Sequence, residues 1–465
     1  MAEPTLSRRI AELAAETRPG GLPDAVLAST RLRVLDTLGL ALRAQDLDSS
    51  RAVIGYVADQ GGRAEATAIG VAERVPAALA ALVNGTLAHS LDYDDTHLPS
   101  VLHPSAGVVP AALAAAEAVG APGAALLAAV AVGLETCVRI GMAGYDPVAG
   151  NSTFFEHGQH ATSICGALGG AVAAAMLHGL DADGIQSALG VAASMASGII
   201  EANRTGGTVK RLHCGWAAHS AVTAADLTRR GLTGPPTALE GRFGFFQAFL
   251  HGTFDAGQVT DGLGERWAVP GIFFKPYPAN HFTHTTVDAA AELRRRGVRP
   301  ADVEAVEVGV PRPVIRTIGE PIEVKRAPAT GYQAQFSAPY AVTVGLFGGG
   351  GLGAALEDYT DALAADPARR ELMAKVSVVA DPRCDAIFPH QFPAVLTARL
   401  RDGRTETVEV LANRGGDQWP LTDEEVGRKF ADNAGAALPA GEAERLRAAV
   451  LALDTLADVR TLLHP

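Results

Sequence analysis

The stretch ATSICGALGGAVAAAML, residues 161–177, decides the fold class. Its 17 residues carry no charge, the length at which a membrane span has to be considered. Ala and Gly dominate it rather than large aliphatics, so it reads as a helix buried inside protein. Small side chains let helix backbones approach closely. The stretch 118–134 also has 17 uncharged residues, is interrupted by Pro122, and reads the same way. Leu32–Leu42, Ala111–Val119, Ala124–Val138 and Ala217–Arg229 show apolar residues at helical spacing. Residues 1 to about 270 are therefore mostly helical.

The pattern changes after Pro270. Val303–Val310 (VEAVEVGV) alternates as a strand does, and Lys375–Val379 is β-rich. Val395–Leu400 and Thr405–Val410 flank a turn centred on Asp402-Gly403, a hairpin signal. Thr285–Arg296 and Ala338–Phe347 read as helices between the strands. Helical pattern returns with a capping box at Thr422 and Glu425 and an amphipathic run over Gly441–Leu453. The expected architecture is mostly α. Residues 1–271 plus 409–465 form a large helical domain built from both chain ends, with a smaller α+β domain inserted at 272–408.

Composition narrows the function classes. The chain has 465 residues, of which 48% are hydrophobic and 19% charged, which suits folded domains rather than disorder. A net charge of −12 argues against partners reached through a basic surface, nucleic acid and anionic membrane among them. An anionic substrate then needs a local positive pocket. Cys137, Cys165, Cys214 and Cys384 form no C-x-x-C pair and suit reduced, buried thiols. The N-terminal MAEPTLSRRIAELAAE has no signal-peptide apolar core, so a cytoplasmic location is expected. Five of the 39 basic residues are lysine. Of the two types only Lys loses its proton near neutral pH when its surroundings lower its pKa.

Four clusters carry candidate chemistry. The first is HSLDYDDTH (89–97) followed by His103-Pro104-Ser105. Carboxylates there can orient imidazoles that act as acids or bases. The same groups could hold a metal through Asp92, Asp94, His97 and His103, or form a polar loop with Asp caps. The second is Glu156–Thr162, where His160 opens an Ala/Gly-rich helix whose positive end favours a neutral, basic imidazole. The third is Thr205–His213, where glycines precede Lys210 and Arg211, a pairing suited to one anion or to an exposed turn. The fourth is Phe274–His284, where Lys275 lies between aromatics and prolines at the domain junction. Gly348–Gly353 (GGGGLG) matches a dinucleotide fingerprint trivially, with no βαβ unit following, and is discounted.

Together the clusters resemble the MmgE/PrpD family of 2-methylcitrate dehydratases, cis-aconitate decarboxylases and iminodisuccinate epimerases. The resemblance spans essentially the whole chain. It rests on VLDTLGLAL (34–42), HSLDYDDTH…HPS (89–105), GQHATSICGALGGA (158–171) and KRLHCGWAAHSAV (210–222). LEGRFGFFQAF (239–249), KPYPANHFTH (275–284) and QFSAPYAV (335–342) add to it. It implies a helical domain with a smaller lid domain, a homodimer, and neither metal nor organic cofactor. By residue it implies Asp92, Thr96, His103, His160, Lys210 and Lys275, with Tyr340 as a lid contact. Where some members carry a His five residues after the Lys, this chain has Asn280, and His281 stands next to it.

The expected reaction is cofactor-independent lyase chemistry on a small di- or tricarboxylate. A proton leaves carbon beside a carboxylate, and Lys210 and Lys275 stabilise the dianionic intermediate, with Arg211 as helper. His103 and His160 serve as base and acid, with Asp92 orienting an imidazole. Loss of a β-hydroxyl would make a dehydratase acting on a 2-methylcitrate-like acid, the first choice here. Decarboxylation of a cis-aconitate-like acid and epimerisation of an iminodisuccinate-like acid remain alternatives. A metal-dependent hydrolase and a non-catalytic binding protein are the readings from other classes.

Overall fold

The computed structural model describes residues 3–202 and 206–463. It is mostly helical, with its strands confined to small sheets. The chain divides into two compact units, Met1–Ile272 with Phe430–Pro465, and Phe273–Lys429.

Six helices of the first unit matter for the site: α1 (Asp24–Arg43), α2 (Ala77–Ala88), α3 (Ser105–Val119), α4 (Gly123–Ala143), α5 (Ala161–Leu177) and α6 (Val209–Thr228). Helix α5 lies at the centre and packs on α3, α4 and α6, while α6 also packs on α2. Residues 161–175 of α5 are all buried, as its composition requires. Helix α4 is long and apolar enough to cross a membrane, yet 89% of its apolar window is buried inside the protein, so it reads as a core helix. All four cysteines are buried and unbridged.

Small residues set the helix spacing. On α6, a Cβ added to Gly215 would fall 2.1 Å from Thr86 Oγ1 and 2.2 Å from the Leu82 carbonyl oxygen of α2. The contact brings the C-terminal end of α2 beside the first turns of α6. Helix α3 begins six residues before the expected Ala111, and Pro110 lies inside it. That proline forfeits one backbone bond, which is why the sequence pattern starts too late. The returning C-terminal segment is fixed to this unit by Gly123 N–H to Leu456 O (2.8 Å) and Val459 N–H to Ala121 O (3.0 Å).

The second unit is built on a four-stranded sheet. Its strands are β1 (Val303–Val310), β2 (Val376–Ala380), β3 (Ala394–Leu400) and β4 (Thr405–Val410), in the order β2-β1-β3-β4. The β1–β2 pair is parallel and the others antiparallel. Residues of the helices His284–Arg295 and Ala338–Phe347 share one hydrophobic core with the strands. The Asp402-Gly403 turn is present, with Gly403 at φ +87°. The reciprocal Thr422–Glu425 capping bonds form at 2.9 and 3.1 Å.

The second boundary differs from the sequence reading. The unit continues past 408 to Lys429, because β4 runs to Val410 and residues beyond it bond back within the same unit. Phe274 N–H donates to Gly415 O (3.0 Å), and Arg414 donates to Leu352 O (2.6 Å). These are long-range bonds with no local sequence signal.

Gly215→Ala is expected to destabilise the first unit by about 1–3 kcal/mol through overpacking. A denaturant midpoint equal to the parent's would contradict the close crossing of α2 and α6.

Candidate active site

Helix α2 ends at Ala88, and its C-cap residue His89 opens an irregular stretch running to Pro104. Polar and charged groups crowd there against apolar helices. His89, Asp92, Asp94, Asp95 and Thr96 are all buried. Asp92 adopts φ +54°, a left-handed conformation that Asp tolerates better than most residues. Leu98–Val101 forms a tight turn, closed by His97 N–H to Leu102 O (2.9 Å) and Leu102 N–H to His97 O (3.3 Å).

Asp95 anchors this stretch. Its carboxylate pairs with the fully buried Arg33 at 2.8 Å and accepts from the Ser105 hydroxyl at 2.5 Å and the Ser105 N–H at 3.2 Å. Burial pulls Arg33 down from the ordinary guanidinium range, and the Asp95 charge opposes that. The Asp95 carbonyl oxygen receives His103 Nδ1 at 2.8 Å. A carbonyl only accepts, so His103 Nδ1 carries a hydrogen and donates it. His103 N–H donates to Thr162 Oγ1 on α5 (3.1 Å), and Thr96 Oγ1 stands 3.4 Å from His103 Nδ1.

Three more imidazoles complete the group. His89 Nδ1 lies 2.7 Å from Asp94 Oδ2, and the carboxylate accepts from it. His160 is the N-cap residue of α5, its backbone N–H bonded to Gly198 O at 3.0 Å. His213 on α6 meets it with 2.9 Å between the two Nδ1 atoms. Ring centroids are 5.4 Å apart for His89–His103 and for His89–His160, and 4.9 Å for His160–His213. Lys210, on the first turn of α6, places Nζ 3.7 Å from Asp92 Oδ1.

Burial holds His160 well below its ordinary pKa, reinforced by His89, Lys210, His213 and His103. Burial also lowers His213, to about 4, with His89 and Lys210 adding to it. At neutral pH both rings are neutral and can donate or accept a proton. The arrangement offers one ammonium, several imidazole nitrogens and a water-poor setting, the parts needed to bind a carboxylate and move a proton at the adjacent carbon.

The first unit thus brings together Asp92, Thr96, His103, His160 and Lys210, as the sequence reading expects. Arg211 donates to Ser49 Oγ at 2.8 Å. Thr205 lies outside the described residues. His157, four residues from the α5 N-terminus, is exposed and stacks on His251 at 4.6 Å. His97 bonds Ser100 Oγ at 2.7 Å. Among the described residues no three His, Cys, Asp or Glu side chains are grouped as metal ligands, so Asp92, Asp94, His97 and His103 do not form the set the metal reading names. The sequence reading gave no role to His89 or His213. His213 follows Lys210 by three residues, which puts both on one helix face, and that spacing was the available signal.

Lys275, His281 and Tyr340 belong to the second unit. Lys275 is 1% exposed. The Asn280 side chain accepts from Phe282 N–H at 3.1 Å, capping a short 3-10 turn. His281 is buried edge-on against Phe392 at 5.6 Å. Tyr340 is buried, and its hydroxyl donates to Asp358 O at 2.6 Å.

Comparison with known proteins agrees with the sequence resemblance. Residues 8–256 match the MmgE/PrpD N-terminal domain and residues 277–455 the MmgE/PrpD C-terminal domain. The chain is 29% identical to human cis-aconitate decarboxylase, over 95% of this chain and 90% of that protein. It is 28% identical to a cis-aconitate decarboxylase-like protein of Aspergillus oryzae, over 96% and 94% of the two chains. Cis-aconitate decarboxylase of Aspergillus terreus is 28% identical over 85% and 82%.

The lowered histidines set a pH dependence. The unfolded chain binds protons at His160 and His213 more readily, so their contribution to stability is complete above 6.5. For His213 it is lost as pH falls toward about 4. His213→Asn is expected to flatten part of the acid-side decline in denaturant midpoint. Parallel declines in parent and variant would contradict the assignment.

Proposed function

We propose a function from one premise: this chain belongs to the MmgE/PrpD family. It is a lyase that creates and quenches a carbanion beside a carboxylate of a small di- or tricarboxylic acid. The observation that carries this reading is Lys210 Nζ, 3.7 Å from Asp92, set among buried imidazoles that are poised to exchange protons. Substrate carboxylate oxygens are bound by Lys210, whose charge offsets the growing negative charge. The sequence reading assigns Lys275 the same duty. His103 is the base: with Nδ1 donating to the Asp95 carbonyl, Nε2 is the nitrogen left to take the proton. His160 is the acid.

Decarboxylation of a cis-aconitate-like acid is put first, on the strength of the relatives named for it. This reverses the order from sequence alone, which preferred dehydration. The bond between a carboxylate carbon and its neighbour breaks, and CO₂ leaves. The electron pair passes into the system conjugated with a remaining carboxylate, and a proton from an imidazole N–H completes the new C–H bond. Dehydration of a 2-methylcitrate-like acid is the second reading. It is favoured by the Asp95 carbonyl holding His103 through Nδ1, which leaves Nε2 to act as base; a β-hydroxyl then leaves as water.

Incubation with citrate-, malate-, aconitate- and aspartate-like acids in D₂O, read by mass spectrometry, tests the class. CO₂ loss with one deuterium gained is the expected result, and water loss would select the second reading. Exchange without mass loss would mark an epimerase, and no change with any acid would overturn the lyase assignment.

Lys210→Ala and His103→Ala are each expected to lower kcat/KM by about 10²–10⁴, and Lys275→Ala to act likewise. Near-normal turnover in Lys210→Ala and His103→Ala would refute these roles. Activity should persist after exhaustive chelation checked by elemental analysis. Loss restored by a divalent metal would instead favour the hydrolase reading.

A further inference from the structure

We propose that Gly198 is a positioning residue for His160: its carbonyl fixes the backbone where α5 begins, and its bare Cα lies against the first turn of that helix. The proposal deepens the lyase reading and rests on it for the catalytic consequence, while the placement of the ring can be measured without any activity.

The argument starts from the segment that follows the helix Ala182–Met195. That helix packs on both α5 and α6, so its end is fixed relative to the two helices that carry His160, Lys210 and His213. The chain leaves it in extended form at Ala196 (φ −63°, ψ 134°) and runs beside the residues that open α5. Gln159 and Ile199 pair there as an isolated antiparallel bridge. His160 N–H donates to Gly198 O, and Ile200 N–H donates to Gly158 O, each at 3.0 Å. The two bonds hold the backbone on either side of Gln159. The His160 side chain makes no capping bond to α5, so its direction is set by the backbone beneath it and by the rings around it.

Glycine alone meets both demands made at position 198. Its φ of +141° is a conformation that residues with a Cβ rarely adopt. A Cβ there would fall 3.1 Å from Ser163 Cβ, 3.3 Å from His160 Cβ and 3.3 Å from Ser163 Oγ. Carbon atoms in favourable contact stand about 3.5–4.0 Å apart, so a neighbour would have to give way. Both neighbours are buried. Ser163 is held further, because its hydroxyl donates to His213 O on α6 at 2.9 Å. A side chain at 198 would therefore press on the root of the His160 ring and on the residue that ties α5 to α6 beside His213.

The consequence is chemical because proton transfer tolerates little displacement. The His160 ring lies 4.9 Å from that of His213 and 5.4 Å from that of His89, centroid to centroid. A shift at Cβ carries through to the ring nitrogens. Misplacement by about 1 Å costs about a hundredfold in rate, and a few tenths of an ångström about tenfold on the same scale. The Lys210 ammonium is carried by α6, so substrate binding is expected to change less than turnover.

Gly198→Ala in the full-length chain is the test, with Gly403→Ala as control. Gly403, in the turn between β3 and β4, also has a positive φ (+87°), but a Cβ there would meet nothing within 4 Å. It carries the backbone strain without the contact. Gly198→Ala is expected to lower kcat about tenfold with KM changed less than about twofold, and to alter the pH profile of kcat. Gly403→Ala should keep the parental kcat. With ¹⁵N-labelled histidine, long-range ¹H–¹⁵N correlation reports the rings directly, and His160→Gln and His390→Gln identify two of the signals. In Gly198→Ala the His160 signals should move, while those of His390 in the second unit stay. Unmoved His160 signals would overturn the placement, and moved signals with parental kcat and pH profile would overturn its catalytic meaning. Should Gly198→Ala fail to fold, Ile200→Pro loosens the same ribbon by removing the Ile200 N–H. It is expected to shift the His160 signals and lower kcat in the same sense, and no change in either would overturn the proposal. If the parent converts none of the acids, the lyase reading fails, and the His160 signals still decide the placement.

Discussion

A buried ion pair, Arg33 with Asp95, is the constraint on which the site depends. The two side chains are 0% and 2% exposed and 2.8 Å apart. Taking two charges out of water is costly, and such a pair persists only where the remaining hydrogen-bonding positions are also filled. Asp95 accepts from both the hydroxyl and the N–H of Ser105, and Arg33 Nη2 donates to the Ile272 carbonyl at 2.5 Å. These bonds hold the irregular stretch 89–104 against α1 and the start of α3. Because Asp95 cannot shift, its carbonyl oxygen is fixed as well, and that atom orients the His103 ring through Nδ1.

The remaining chemistry follows from a contrast in charge. The molecule is acidic overall, at −12, yet the buried cluster combines an ammonium with two rings, His160 and His213, that burial keeps neutral. Neutral imidazoles cost less to bury than imidazolium ions and can still donate or accept. Lys210 supplies positive charge and Asp92 moderates it at 3.7 Å, beyond ordinary hydrogen-bond length. A polyanion entering such a site gains an attraction that the surface as a whole would deny it.

Much of the architecture was legible in the sequence because it is set locally. The apolar run 161–177 became α5, and the alternation VEAVEVGV became β1 without a residue's change. The Thr422–Glu425 capping box also formed as its spacing implied. The second domain boundary was not legible, since Arg414 and Gly415 are tied to residues 62 to 141 positions earlier, and no periodicity reports such bonds. The site was half legible. Asp92, His103, His160 and Lys210 stood in dense polar clusters and in motifs of a recognisable family. Arg33 could not be read, because it is one of three arginines in its helix and lies 62 residues from its partner. His89 and Asp94 are five residues apart, a spacing that becomes a contact only because Asp92 turns the backbone left-handed. His213 was within reach of the helical spacing rule.

The central claim is that Lys210 and the imidazoles around it form a site for a polycarboxylate. A crystal structure with tricarballylate, an unreactive tricarboxylate, tests it most directly. A carboxylate oxygen should lie about 3 Å from Lys210 Nζ, with a substrate-like carbon within reach of His103 Nε2 or His160 Nε2. A ligand bound away from Lys210, or a metal ion between ligand and histidines, would contradict the account.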